Sequence, residues 1–119
     1  MRLTRAEIDL KCLRDNFGGV RKQVGPDVRV MGVVKANGYG HGLVEVAQAL
    51  TEFGADYLGV GFLEEGIELR RNGILTPTLV LGGVLGNQIH QFIQHDLEIT
   101  ISSLELARHI ASECASAGK

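Results

Sequence analysis

The sequence predicts an α/β fold of parallel strand–helix units, and three observations carry the prediction. Short apolar runs recur at VRVMGVV (28–34), YLGVG (57–61), TLVLG (78–82) and LEITI (97–101). A helix-like stripe follows each run, and the junctions are short and glycine-rich, with 16 glycines in 119 residues. VRVMGVV, almost continuously apolar and rich in Val, suits a strand covered on both faces, as in a parallel sheet. Short junctions between such units impose right-handed crossovers. Two architectures accept this order. One is a small open α/β sheet; the other is a run of units from a (β/α)₈ barrel, which takes about 250 residues when complete.

The elements follow in order. RAEIDL (5–10) reads as a short strand. From Leu10 the period changes: Leu10, Leu13, Phe17, Val20 and Val24 recur at three and four, a helical stripe. Gly18 and Gly19 weaken that helix by up to about 1 kcal/mol each, and Gly25-Pro26 ends it. VRVMGVV is the first covered strand, with Lys35 at its C-terminal end and ANGYG (36–40) as the turn beyond. A second helix is expected from His41, with Leu43, Val46, Ala47, Leu50 and Phe53 on one side and Gly54 closing it. YLGVG is the next strand. The helix from Phe62 to Arg71 carries Glu64, Glu65 and Glu68 early and Arg70 and Arg71 late, an order that suits the helix dipole. Asn72-Gly73 stops it. TLVLG leads to a helix from about Asn87 with Ile89, Phe92 and Ile93 on its stripe. LEITI is the fourth strand. Ser102 and Glu105 read as a capping box for a last helix striped by Ala107, Ile110, Ala111 and Cys114.

Composition narrows the class. Hydrophobic residues make up 45% and charged residues 22%, as in a globular chain of one domain. Twelve basic and 14 acidic side chains leave a formal charge of −2, so no basic excess points to nucleic acid. No apolar run reaches the roughly 18 residues that suggest a membrane span, and MRLTRAEIDL is too polar for a secretory signal. Cys12 and Cys114 stand far apart and outside metal-ligand spacing, which favours a reduced, cytoplasmic chain. No metal site is expected: His90, His95 and His109 show no ligand spacing with one another or with Asp96.

VVKANGYGHG (33–42) holds the chemistry. In either architecture, reactions occur beyond the C-terminal ends of the strands. Lys35 lies at such an end and alternates onto the same side as Val33. A lysine at the mouth of a covered strand is expected to be partly desolvated, which favours the neutral, nucleophilic amine. Its natural partner is an aldehyde cofactor, with which it condenses to a Schiff base. Strand-end lysines also snorkel to water, so the neighbours matter. Tyr39 sits in a glycine-bracketed turn where its hydroxyl can meet a phosphate or carboxylate. His41 and Gly42 fall at an expected helix start, which favours an anion. The stretch is not a phosphate-binding Walker loop, because the lysine precedes the glycines and no Ser or Thr follows it. Asn37 is open between a bond within the turn and a supporting role. Glu64 and Glu65 could approach the mouth of the second strand, but a solvated helix start explains both.

VVKANGYGHG is similar to the pyridoxal-phosphate attachment motif of bacterial alanine racemases, with Gly38 where many members carry alanine. RAEIDLKCLRDN resembles that family's opening strand and first helix. GADYLGVGFLEEGIELRRNGILTPTLVLGG resembles its second and third barrel strands with the helix between, so the similarity covers essentially all of residues 1–119. The resemblance implies the first half of a TIM (β/α)₈ barrel, a partial cofactor-binding domain without the other half-barrel or the C-terminal β-domain. It implies pyridoxal 5′-phosphate attached to Lys35, Lys35 as one general base on the D-alanine side, and Tyr39 near the cofactor phosphate. It further implies interconversion of L- and D-alanine for peptidoglycan precursors. In the family the opposite base is a tyrosine from the second domain of the other subunit. The tyrosines here are Tyr39 and Tyr57, and Tyr57 starts a strand at the end away from the mouth. The resemblance therefore names an activity of the whole enzyme, with these 119 residues inactive alone. A non-catalytic pyridoxal-phosphate carrier, or an inert piece, are the competing readings. Four units leave open sheet edges and an uncovered inner face, so homodimers or higher self-association are expected.

Overall fold

The computed structural model describes residues 4–119. Four parallel strands, β1 (Met31–Val33), β2 (Tyr57–Val60), β3 (Thr78–Val80) and β4 (Glu98–Ile99), form one sheet in the order β1-β2-β3-β4. Met31 pairs with Tyr57, Leu58 with Thr78 and Leu79 with Glu98. Helices α3 (Leu43–Glu52), α4 (Leu63–Arg71), α5 (Ile89–Gln94) and α6 (Leu104–Ser116) follow the strands in turn, and α1 (Leu10–Val24) precedes them. This is the parallel β/α arrangement of the first half of a barrel.

The core lies between the sheet and its helices. Val34, Leu58, Val60 and Val80 face it from the sheet, and Leu43, Val46, Ala47, Leu50, Leu63, Leu69 and Phe92 from the helices. The other side of the sheet is uncovered: Met31, Val33 and Leu81 are exposed and surround Gly59. The accessible surface is 8001 Å² at 12.8 kDa, against about 6,300 Å² for a closed monomer of that mass. The radius of gyration is 16.4 Å, against about 13.5 Å for a compact domain of this length. Both excesses are those of an open slab with one bare face.

Three sequence expectations are corrected. Residues 4–9 form no strand; Asp9 instead caps α1, its Oδ1 accepting from the Lys11 and Cys12 amides at 2.8 and 3.2 Å. The alternation in RAEIDL has no neighbouring strand to pair with, and the local cap prevails. At α6 the cap is Ser103, whose Oγ accepts from the Leu106 amide at 3.1 Å, and Ser102 lies outside the helix. The stripe of α1 is also thinner than expected, with Phe17 buried and Leu10, Val20 and Val24 exposed.

The base of the sheet is tied by polar clamps. Arg21 donates to the Val28 carbonyl at 2.7 Å, to the Gly54 carbonyl at 2.9 Å and to Asp56 Oδ2 at 2.7 Å. Asp56 Oδ2 also accepts the Val30 amide at 2.7 Å. The Arg21 guanidinium, then the Val30 N–H, hold the Asp56 carboxyl below the usual carboxylate range. A depressed folded-state value means stability that is present above the unfolded value, about 3.9, and lost as pH falls through the folded one. The thermal midpoint of the wild type is thus expected to drop on acidification below about pH 4. Asp56→Asn should start lower at neutral pH and show a shallower acid dependence; identical acid profiles would remove Asp56 from the clamp. Arg70 does similar work at the same end. It donates to the carbonyls of Ile74, Thr76, His95 and Asp96 at 2.8–3.2 Å and so ties α4 to two loops.

Candidate active site at the strand ends

β1 ends in Val34, whose amide donates to the Gly59 carbonyl at 2.8 Å, and the chain then leaves the sheet at Lys35. A side chain built on Gly61 would meet Lys35 Cβ at 3.5 Å, and one built on Gly59 would meet Val33 Cγ2 at 3.4 Å. Val33 and Lys35 therefore lie over successive inward positions of β2, as strand alternation predicts. Those two positions are both glycine and carry no side chain of their own; Met31, Val33 and Leu81 close around Gly59, and Glu65 Oε2 lies 3.2 Å from where a Gly61 Cβ would fall. Lys35 itself is exposed, so the expected partial desolvation is not met. Four strands without a cover leave the mouth open to water.

The ANGYG turn is not an ordinary loop. Residues Lys35–Tyr39 form α2, a single helical turn wound left-handed. Ala36, Asn37 and Gly38 have φ of 54°, 55° and 61°, and Tyr39 has φ 55°. Gly38 donates to the Val34 carbonyl at 2.8 Å and Gly40 to the Ala36 carbonyl at 3.2 Å, closing the turn. Such a conformation costs about 1–2 kcal/mol at each residue bearing a Cβ. Glycine adopts it freely and asparagine readily, so Ala36 and Tyr39 carry most of the strain. Strain of this kind persists only where neighbours over-determine it, and three side chains do so. Asn37 Oδ1 accepts the Leu43 amide at 3.0 Å. His41 Nδ1 lies 3.1 Å from the Gly38 carbonyl and 3.2 Å from the Tyr39 carbonyl. Both partners are acceptors, which places the proton on Nδ1. Glu65 Oε1 accepts the Ala36 amide at 2.8 Å.

The expected site residues are placed as follows. Lys35 and Tyr39 stand at the two ends of the left-handed turn, and Tyr39 is 59% exposed at the mouth. The helix expected from His41 starts at Leu43, and its first amide is already taken by Asn37. That start therefore has one donor fewer for an anion, and Asn37 acts within the turn. Glu64 is exposed, as a solvated helix start requires, but Glu65 is not a bystander: Oε2 accepts the Gly61 amide at 2.6 Å and the Phe62 amide at 3.2 Å. Tyr57 lies at the opposite end of the sheet, its ring under the Arg29 guanidinium at 5.5 Å.

Comparison with known proteins follows the same geometry. The family described as "Alanine racemase, N-terminal domain" matches residues 8–119. Alanine racemase of Desulforamulus reducens is 45% identical over 107 residues, 90% of this chain and 29% of the relative. The solved alanine racemase of Clostridium difficile 630 superposes with a TM-score of 0.92 at 40% identity, covering 99% of this chain and 32% of that one. A histidine racemase from Leuconostoc mesenteroides superposes at 0.83 with 26% identity, over 92% of this chain and 29% of that one. The chain thus spans about 30% of the length of its relatives.

Proposed function

We propose, on the premise that this chain belongs to the alanine racemase N-terminal domain family, that it is the lysine-bearing part of a pyridoxal-phosphate-dependent alanine racemase. The observation that carries the proposal is Lys35 at the C-terminal end of β1, exposed and beside the side-chain-free inward positions of Gly59 and Gly61. The donor set fits the cofactor: an exposed primary amine for its aldehyde, an uncovered sheet face beside it, and Tyr39 at the far end of the turn for its phosphate. When bound, pyridoxal phosphate supplies an electron sink for charge developing at the substrate Cα. Lys35 Nζ attaches the cofactor and moves the proton at that carbon on one face. Racemisation needs a second base on the opposite face, and Tyr57, at the wrong end of the sheet, does not supply it. The reaction is L-alanine to D-alanine and back, for peptidoglycan precursors, and belongs to the whole enzyme. The likeness to a histidine racemase supports a division of labour in which this half carries the attachment and residues elsewhere choose the amino acid. The uncovered sheet face supports a partner, a second copy of this chain.

The test is a visible-absorption titration of the protein with pyridoxal phosphate beside Lys35→Ala, followed by borohydride reduction and intact mass. A single adduct on the wild type, absent from the variant, is the expected result. Adducts of equal yield on both would defeat the proposal. Racemisation by the adduct-bearing protein then separates an enzyme from a carrier.

A further inference from the structure

We propose that Glu65 is a positioning residue for Lys35, an inference that rests on the attachment role argued above. Its carboxylate takes three backbone amides: Ala36 at 2.8 Å through Oε1, and Gly61 at 2.6 Å and Phe62 at 3.2 Å through Oε2. A helix-start role, in which the third residue of α4 reaches back to its cap, accounts for the Phe62 contact, the longest of the three. It does not account for Ala36, which lies 29 positions away on another strand–helix unit.

Ala36 is the residue directly after Lys35 and the first in the left-handed turn. Its amide belongs to the peptide that joins the two, so the bond fixes the direction in which the lysine leaves the sheet. The same carboxylate fixes Gly61, the residue that follows β2. Lys35 Cβ and Glu65 Oε2 converge on the bare side of Gly61, 3.5 and 3.2 Å from where a Cβ would fall. Glu65 thus joins the lysine's backbone to the chain leaving β2. Hydrogen bonds to an ionised acceptor are the strong kind. Glutamine in the same place offers one carbonyl oxygen and turns an NH₂ toward backbone donors.

The experiment uses pyridoxal 5′-phosphate, borohydride trapping and peptide mapping of the adduct over the four lysines, Lys11, Lys22, Lys35 and Lys119. In the wild type the adduct falls on Lys35. In Glu65→Gln the share on Lys35 drops roughly tenfold relative to the other lysines, with the helical spectrum retained. Two controls keep the wild-type distribution. Glu64→Gln changes the exposed neighbour. Thr51→Ala removes bonds to the Ala47 carbonyl and Thr76 and lowers stability away from the site. An unchanged share in folded Glu65→Gln overturns the positioning role and leaves the attachment proposal standing. Absence of a Lys35 adduct in the wild type overturns both. Should Glu65→Gln fail to fold, Glu65→Asp, one methylene too short to span Ala36 and Gly61, carries the same expectation. Amide exchange in the wild type needs no variant: the Ala36 N–H is slow, and a fast-exchanging Ala36 overturns the proposal outright.

Discussion

Phe92→Ala is expected to cost about 3–5 kcal/mol and to leave little folded protein. Phe92 is 1% exposed and is among the largest fully buried side chains. It enters the core from α5, a helix of six residues with little stability of its own. Its carbonyl also accepts the Leu97 amide at 3.0 Å, which sets the turn into β4. Removing the ring therefore opens a cavity and loosens the turn that leads into β4. Natural domains have about 5–15 kcal/mol to lose, and a sheet bare on one face has less hydrophobic burial than a closed one. Urea unfolding measures the effect, with Phe92→Leu as the milder companion. A loss below about 1 kcal/mol would mean that α5 is outside the cooperative core.

The second large effect concerns mass. Light scattering at micromolar concentration is expected to give at least twice 12.8 kDa. Met31, Val33, Leu81 and Ile101 are 36–50% exposed, and among the described residues β1 and β4 each have an edge with no strand beside it. Apolar patches and free edges of this kind associate. Replacing Val33 and Leu81 by lysine should shift the mass toward the monomer while leaving the covered core intact. A stable dilute monomer of the wild type would rule the association out.

Much of the fold was legible because its signals are local. The run VRVMGVV marks β1, and the stripes of Val46, Ala47 and Leu50 and of Ile89 and Phe92 mark helices that do bury those residues. The misreadings have local causes too. RAEIDL alternates like a strand, yet Asp9 can cap the next helix, and only the absence of a pairing partner decides between them. Ser102 and Ser103 are chemically equal candidates, and backbone direction selects the second. The site was half legible. Its lysine, tyrosine and glycines stand together in sequence. The left-handed turn was hidden because Ala36 and Tyr39 do not favour that conformation; Asn37, Gly38 and Gly40 are its only local hints. Glu65 was hidden because its telling partner, Ala36, lies 29 positions away, beyond β1. Its one visible sign was its place three residues into α4.

The order of the sheet is also the order of the chain, and this has a consequence for how the protein is made. As the polypeptide leaves the ribosome, each new strand finds the previous one already complete, with no need to wait for a distant segment. β1 and β2 can join, and Glu65 can clamp the Lys35 turn, before β4 has left the ribosome. Assembly of this kind proceeds unit by unit from the N-terminus, at the ribosome's pace of about 5–20 residues per second. The strand end that carries Lys35 therefore takes shape before the later strands of this sheet do.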